Sequence, residues 1–158
     1  MPKISVIIPS YNHAAYIGEA VHSVLTQSEG DLDLIVVDDG STDSSLKVLE
    51  RFTDHRLRVI AQTNQGAHAA INRGLQAASG NYLAILNSDD VYHPQRLEKL
   101  TGLLKNSNHK TTFNYSTIIN FSIQLFVVLL TKGKTYEKTS NLVSFAFDTI
   151  PGISPNTY

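Results

Sequence analysis

The chain has 158 residues, which leaves room for one compact domain and falls below the length at which a second domain is expected. Its formal net charge of −1 and pI near 6.6 provide no basic field for a polyanion, so we expect no nucleic-acid partner. It has no cysteine, which excludes a disulfide framework, a thiolate zinc site and a cysteine nucleophile.

Strand and helix patterns alternate from the start of the chain. Residues 4–8 are a predicted strand that ends at Pro9, and apolar residues recur at helical spacing over residues 17–25. Residues 34–37 are all apolar, as expected of a strand buried on both faces of a parallel sheet. A strand, a helix and a central strand are therefore predicted in that order.

The alternation continues to about residue 104. A helix is predicted to begin at residues 41–43, and a strand covers residues 57–60. The next helix covers residues 67–78 with Gly80 as its C-cap, and a fourth strand covers residues 82–86. Pro94 lies in the first turn of a last helix. Strands separated by helices predict an α/β fold with a mostly parallel sheet and flanking helices.

The composition changes after residue 100. Residues 1–100 hold 12 acidic and 8 basic side chains, whereas residues 101–158 hold 2 acidic and 5 basic ones. We therefore predict one domain over residues 1–104 and an atypical C-terminal segment over residues 105–158, with truncation or rearrangement as an open explanation.

The uncharged stretch 111–131 has enough Asn, Ser, Thr and Gln to favour a buried strand over a membrane span. The first residues lack the apolar core of a signal peptide, so a cytoplasmic protein is predicted. Association with the inner face of the membrane is the alternative.

Each predicted strand is followed by a polar cluster. The four clusters are residues 10–12, 38–40, 62–66 and 87–90. Ligands of open α/β sheets bind outside the carboxyl ends of the strands, and parallel strands bring these ends to one edge. The sequence therefore predicts a single binding site built from all four clusters.

Two acidic pairs indicate what that site binds. Asp38 and Asp39 follow an apolar strand, where a carboxylate can accept a hydrogen bond from a base N–H or a ribose hydroxyl. Asp89 and Asp90 follow another strand, and their oxygens are the hard ligands that Mg²⁺ or Mn²⁺ prefers. Either pair alone is also compatible with an ordinary turn. Together they point to a nucleotide diphosphate with a divalent cation.

Four segments, in this order and spacing, resemble the family 2 glycosyltransferases: residues 4–12, 36–43, 64–74 and 80–94. The resemblance covers about residues 3–104. It implies a GT-A fold and inverting transfer of a sugar from a nucleotide-diphosphate donor, with a UDP-sugar as the first expectation. The acceptor would be a hydroxyl of a glycan, a lipid or a protein.

The resemblance also implies which residues bind the donor. The nucleotide-sugar-binding residues would be Pro9, Tyr11, Asn12, Asp38, Asp39, Gly66, Asn72, Asn87 and Ser88. Mn²⁺ or Mg²⁺ would be held by Asp89 and Asp90. The Asp-x-Asp motif of the family falls on residues 87–89, where Asn87 replaces the first acid, so Asp89 and Asp90 must carry the cation's charge.

The catalytic base stays unassigned. In the family it is an acid well beyond the Asp-x-Asp motif, and residues 101–158 contain only Glu137 and Asp148 as acids, neither of them in a matching motif. A non-catalytic, truncated remnant that binds nucleotide at most is therefore the main alternative. A sugar-1-phosphate nucleotidyltransferase is a weaker one, because the Gly-rich, Arg-containing start motif is missing. His13 and His68 lie beside the donor motifs, where a phosphate contact is the alternative to a solvated surface position.

Overall fold

The computed structural model describes residues 4–106, 111–113 and 128–130. The strands in chain order are β1 (Ile4–Ser10), β2 (Leu32–Asp38), β3 (Leu57–Ala61), β4 (Tyr82–Ile85), β5 (Thr111–Phe113) and β6 (Val128–Leu130). The helices are α1 (Ile17–Leu25), α2 (Ser45–Leu49), α3 (Ala67–Ala77) and α4 (Arg96–Asn106).

The first four strands form one parallel sheet in the order β3-β2-β1-β4. The strands β5 and β6 form a separate antiparallel pair, and β6 lies near β4. Because β1 to β4 all run the same way, their carboxyl ends share one edge of the sheet. The predicted parallel α/β fold is confirmed.

The core lies on both faces of the sheet because successive residues of a strand point to opposite sides. On one face Ile4, Val6 and Ile8 pack with α1, Leu49 of α2 and Leu97 of α4. On the other face the smaller cluster of Ile35, Val37 and Ala70 joins β2 to α3. All seven residues of β2 are buried, as expected of a strand covered on both faces.

Strand β1 continues past Pro9, where the sequence predicted its end. Ser10 O accepts the N–H of Asp39 on the β2 side, and Ile7 O accepts the N–H of Leu86 on the β4 side. Pro9 therefore faces β4, and β4 ends with Ile85 opposite Ile7. The missing N–H of Pro9 removes no ladder hydrogen bond, so the strand continues.

Gly80 is not the C-cap of α3, contrary to the prediction. The helix ends at Ala77, and Ala78 has an extended backbone with φ −68° and ψ 139°. Gly80 instead lies against β1, where a Cβ atom would be 2.5 Å from the backbone nitrogen of Ser5. The glycine is required by this close approach of two backbones. Pro94 precedes the first residue of α4, Arg96, by two positions.

A polar network centred on Ser5 lies near the amino ends of the strands. Ser5 Oγ donates to Asp33 Oδ1 at 2.5 Å and accepts the N–H of Gly80 at 2.8 Å. Asp33 Oδ2 accepts from Arg58 Nη2 at 2.6 Å. The buried hydroxyl of Ser5 therefore links β1 both to β2 and to the turn that precedes β4.

Ser5→Ala is expected to lower the free energy of unfolding by about 1 to 3 kcal/mol, because it leaves buried donors and an acceptor without a partner. Urea denaturation followed by circular dichroism measures the change. Ser44→Ala is the control, since Ser44 is exposed and its side chain makes no capping hydrogen bond. Equal stability of the two variants would show that the Ser5 network does not stabilise the fold.

Several predictions fall on the C-terminal part of the chain. Residues 114–127 of the uncharged stretch, together with Glu137 and Asp148, lie outside the described residues. Among the residues that the structure describes, no helix combines the length and the apolar character that a bilayer crossing requires.

Candidate functional site

A cleft of about 440 Å³ opens at the carboxyl ends of the strands. This volume lies within the range of small-molecule sites. Its lining residues are Pro9, Ser10, Tyr11, His13, Asp39, Asn64, Gly66, Ala67, Ala70, Asn87, Ser88 and Asp89. All four predicted polar clusters thus contribute to one cavity.

Asp39 forms the wall of the cleft between β2 and α3. Its carboxylate accepts hydrogen bonds from Gln62 Nε2 at 2.7 Å, from the Gln65 N–H at 2.9 Å and from the Gly66 N–H at 2.8 Å. The residue is 2% exposed. A carboxylate has about four acceptor positions, so three bonds to the loop leave about one for a ligand.

Asp38 is not among the residues that line the cleft, and its carboxylate bonds to the loop that follows β2. Its Oδ1 accepts the N–H of Ser41 at 2.9 Å, while its buried Oδ2 has no partner among the described residues. Gly40 has φ +77°, and a Cβ atom there would lie 2.8 Å from the Asn64 backbone nitrogen. Only glycine therefore lets this loop approach the loop after β3.

Asn12 holds the loops after β1 and β2 together and does not line the cleft. Its φ of 54° is left-handed, a conformation that asparagine tolerates. Its Oδ1 accepts the N–H of Thr42 at 2.8 Å, and its own N–H donates to Ser41 Oγ at 2.9 Å. Asn72, on α3, also lies outside the lining.

The turn after β4 presents one carboxylate to the cleft and buries the other. Asp89 is exposed and lines the cleft, whereas Asp90 is 5% exposed and accepts from Asn87 Nδ2 at 3.2 Å. Burial raises the pKa of Asp90, the hydrogen bond from Asn87 partly offsets this, and the neighbouring Asp89 charge adds to the rise. Asp89 is thus the more accessible of the two predicted metal ligands.

The donor set fits a cation that is bound together with phosphate. Among residues 4–106, 111–113 and 128–130 no group of three or more His, Asp or Glu side chains forms an enclosed metal site. Mg²⁺ and related ions are commonly held by one or two carboxylates, with substrate phosphates and water completing the coordination. Asp89, with Asp90 behind it, offers such a partial set.

Five residues that line the cleft were not among the predicted binding residues: Ser10, His13, Asn64, Ala67 and Ala70. The sequence predicts at most a phosphate contact for His13, whereas its Nδ1 lies 2.5 Å from Ser88 Oγ. Asn64 belongs to the predicted cluster 62–66 but was not singled out. Ala67 and Ala70 carry no polar group, so only their place beside Gly66 on α3 could have indicated them.

Comparison with known proteins identifies relatives that match most of the chain. Residues 5–121 match the family model described as glycosyl transferase family 2, which continues past the predicted boundary at residue 104. The glycosyltransferase alr2836 of Nostoc sp. is 38% identical over 121 residues, which are 75% of this chain and 38% of that protein. The chain therefore spans well under half the length of this relative.

Two solved structures share the fold. TarS 1–349 of S. aureus in complex with UDP-GlcNAc has a TM-score of 0.65 and 30% identity, covering 69% of this chain and 33% of that one. The mannosyltransferase PcManGT of Pyrobaculum calidifontis, in complex with GDP-Man and Mn²⁺, has a TM-score of 0.61 and 28% identity. The matched region covers 71% of this chain and 34% of the PcManGT chain.

These likenesses confirm the resemblance and the GT-A architecture that the sequence predicted. The family match takes in all four strand-end clusters and the whole lining of the cleft. The chain belongs to glycosyltransferase family 2.

Proposed function

We propose that this chain is the donor-binding part of an inverting glycosyltransferase that uses a nucleotide-diphosphate sugar and Mn²⁺ or Mg²⁺. The observation that carries the proposal is the meeting of Tyr11, Asp39 and Asp89 in one cleft at the carboxyl ends of the strands. These residues come from three different strand ends, and each matches the chemistry of one part of such a donor.

The nucleoside would lie between β1 and the loop after β3. Tyr11 is 46% exposed at the cleft, so its ring is available to pack against a base or ribose. The acceptor position that remains on Asp39 suits a base N–H, and Asn87 beside Asp89 suits a ribose hydroxyl. UDP is the first expectation because TarS binds UDP-GlcNAc, while the GDP-Man complex of PcManGT keeps a guanine nucleotide open.

The diphosphate would lie at the turn after β4, next to Asp89. A divalent cation, when bound there, would neutralise the charge that builds on the leaving diphosphate. In the proposed transfer, an acceptor hydroxyl oxygen bonds to the anomeric carbon as the bond from that carbon to the diphosphate breaks. The acceptor's proton passes to a carboxylate base, which the family resemblance implies lies beyond the Asp-x-Asp motif.

Isothermal titration calorimetry with UDP, with and without Mn²⁺, followed by donor hydrolysis on the same sample, tests the proposal. The expected result is binding that Mn²⁺ strengthens, with slow hydrolysis of the donor. Absence of any Mn²⁺-dependent nucleotide binding in a folded sample would contradict the proposal.

A non-catalytic remnant that binds nucleotide at most is the second candidate. One observation favours it: Asn87 stands where the family's Asp-x-Asp motif has its first acid, so the site offers one carboxylate fewer for the cation. Mn²⁺-dependent binding of UDP without hydrolysis or transfer of any tested donor would support the remnant over the enzyme.

Asp89→Asn is expected to remove the increment in UDP affinity that Mn²⁺ provides, because the amide is neutral and a poor ligand for a hard cation. UDP affinity without metal should stay close to that of the wild type. Calorimetry in Mn²⁺ and in EDTA measures both values. Asp54→Asn, in the loop before β3, is the control, and an unchanged Mn²⁺ increment in Asp89→Asn would rule out Asp89 as a ligand.

A further inference from the structure

The loop that carries His13 is anchored to the start of α2. The N–H of His13 donates to Ser45 Oγ at 3.0 Å, and the N–H of Ala14 donates to Asp43 Oδ2 at 2.9 Å. Ser45 is fully buried, and its own N–H donates to Asp43 Oδ1 at 2.8 Å. The backbone at His13 is therefore held in place independently of its side chain.

The imidazole of His13 reaches from this anchored loop to the turn after β4. Its Nδ1 forms a short hydrogen bond with the hydroxyl of Ser88, which lies 75 positions further along the chain. The ring also makes an edge contact with Tyr16, with centroids 6.0 Å apart and an interplanar angle of 89°. Both contacts restrict the rotation of the ring and direct Nδ1 at Ser88.

Ser88 is a buried residue of that turn and directly precedes Asp89. It is 3% exposed and lies directly between Asn87 and Asp89. A rotation of the backbone at Ser88 would redirect the neighbouring Asp89 carboxylate, and the hydrogen bond to an anchored imidazole opposes such a rotation. Mutation of a residue that orients a metal ligand through a hydrogen bond typically lowers metal affinity by roughly 10- to 100-fold.

We propose that His13 is a positioning residue, which holds Ser88 and thereby sets the Asp89 carboxylate for the cation of the donor complex. This role rests on the proposed function. It requires no contact between His13 and the donor, only the hydrogen bond between its Nδ1 and the Ser88 hydroxyl.

The test compares His13→Ala with His13→Asn, because an asparagine amide places a hydrogen-bonding atom where Nδ1 of histidine lies. Calorimetry measures UDP affinity in Mn²⁺ and in EDTA. His13→Ala is expected to reduce the Mn²⁺-dependent increment by roughly 10- to 100-fold, a loss larger than any change in metal-free UDP affinity. His13→Asn is expected to restore most of the increment.

Two further variants link the effect to the Ser88 hydroxyl. Ser88→Ala should reduce the increment as much as His13→Ala does. The double variant should show no additional loss, because the two changes remove the same hydrogen bond. His22→Ala is the matched control, because His22 is exposed on α1. Thermal unfolding followed by circular dichroism verifies that each variant is folded at the temperature of the titration.

Distinct outcomes separate the positioning role from the proposed function. A wild-type protein whose UDP affinity does not respond to Mn²⁺ overturns both. If the wild type responds, the positioning role alone is overturned by an unaffected His13→Ala variant, by a His13→Asn variant as weak as His13→Ala, or by additive losses in the double variant.

Discussion

Replacement of Asp39 by asparagine is expected to weaken UDP binding by roughly tenfold or more, in Mn²⁺ and in EDTA alike. Asparagine keeps only one acceptor oxygen, so its NH₂ group faces either the N–H of Gly66 at the Oδ2 position or the donors from Gln62 and Gln65 at the Oδ1 position. The wall of the cleft would then lose its shape, together with the acceptor position left for the base. Calorimetry under both conditions measures the effect.

The same substitution should lower the free energy of unfolding by about 2 to 3 kcal/mol, because hydrogen bonds to a charged group are lost at a buried position. Asp31→Asn is the matched control, since Asp31 is exposed in the loop before β2. A loss of UDP affinity confined to Mn²⁺ would contradict the role of Asp39, because that pattern belongs to a metal ligand.

The largest effect on stability is expected for Gly80→Ala. A Cβ atom at this position would lie 2.5 Å from the Ser5 backbone nitrogen and 2.7 Å from the Ile4 carbonyl carbon. Strand β1 cannot move away easily, since it is paired with β2 on one side and β4 on the other. Relief of the overlap would disturb the sheet, so we expect a destabilisation of about 3 kcal/mol or more.

Urea or thermal unfolding of Gly80→Ala measures this loss. Gly30→Ala is the matched control, because a Cβ at Gly30 meets nothing within 4 Å and its stability should change by no more than about 0.5 kcal/mol. A Gly80→Ala protein as stable as Gly30→Ala would show that the turn before β4 can withdraw from β1 at little cost.

Much of the fold was predictable because each element carries its own local pattern. The uninterrupted apolar run 34–37 indicated a strand covered on both faces, and the structure extends it to Leu32–Asp38. The two wrong predictions, the end of β1 at Pro9 and the helix cap at Gly80, concern residues whose role is decided by strands far away in the sequence. Pro9 continues β1 because β4 has already ended beside it, and Gly80 is required by the backbone of β1.

The place of the site was predictable for a different reason. Parallel strands bring their carboxyl ends together, so polar clusters at four strand ends had to meet. The contacts within the site were not predictable, since they join distant parts of the chain. Asn12 binds the Thr42 N–H thirty positions away, and the partner of His13 is 75 positions away. No local pattern encodes such pairs.

The Ser5 network lies near the amino ends of the strands that carry the cleft at their carboxyl ends. Ser10 lies five positions after Ser5, a span of roughly 16 Å along β1. A library that randomises cleft positions such as Ser10, Tyr11 and Asn64, with Asp39 kept fixed, would therefore leave the polar anchor of the sheet intact. Selection for a new ligand preference at the cleft could then proceed with fewer variants lost because they fail to fold.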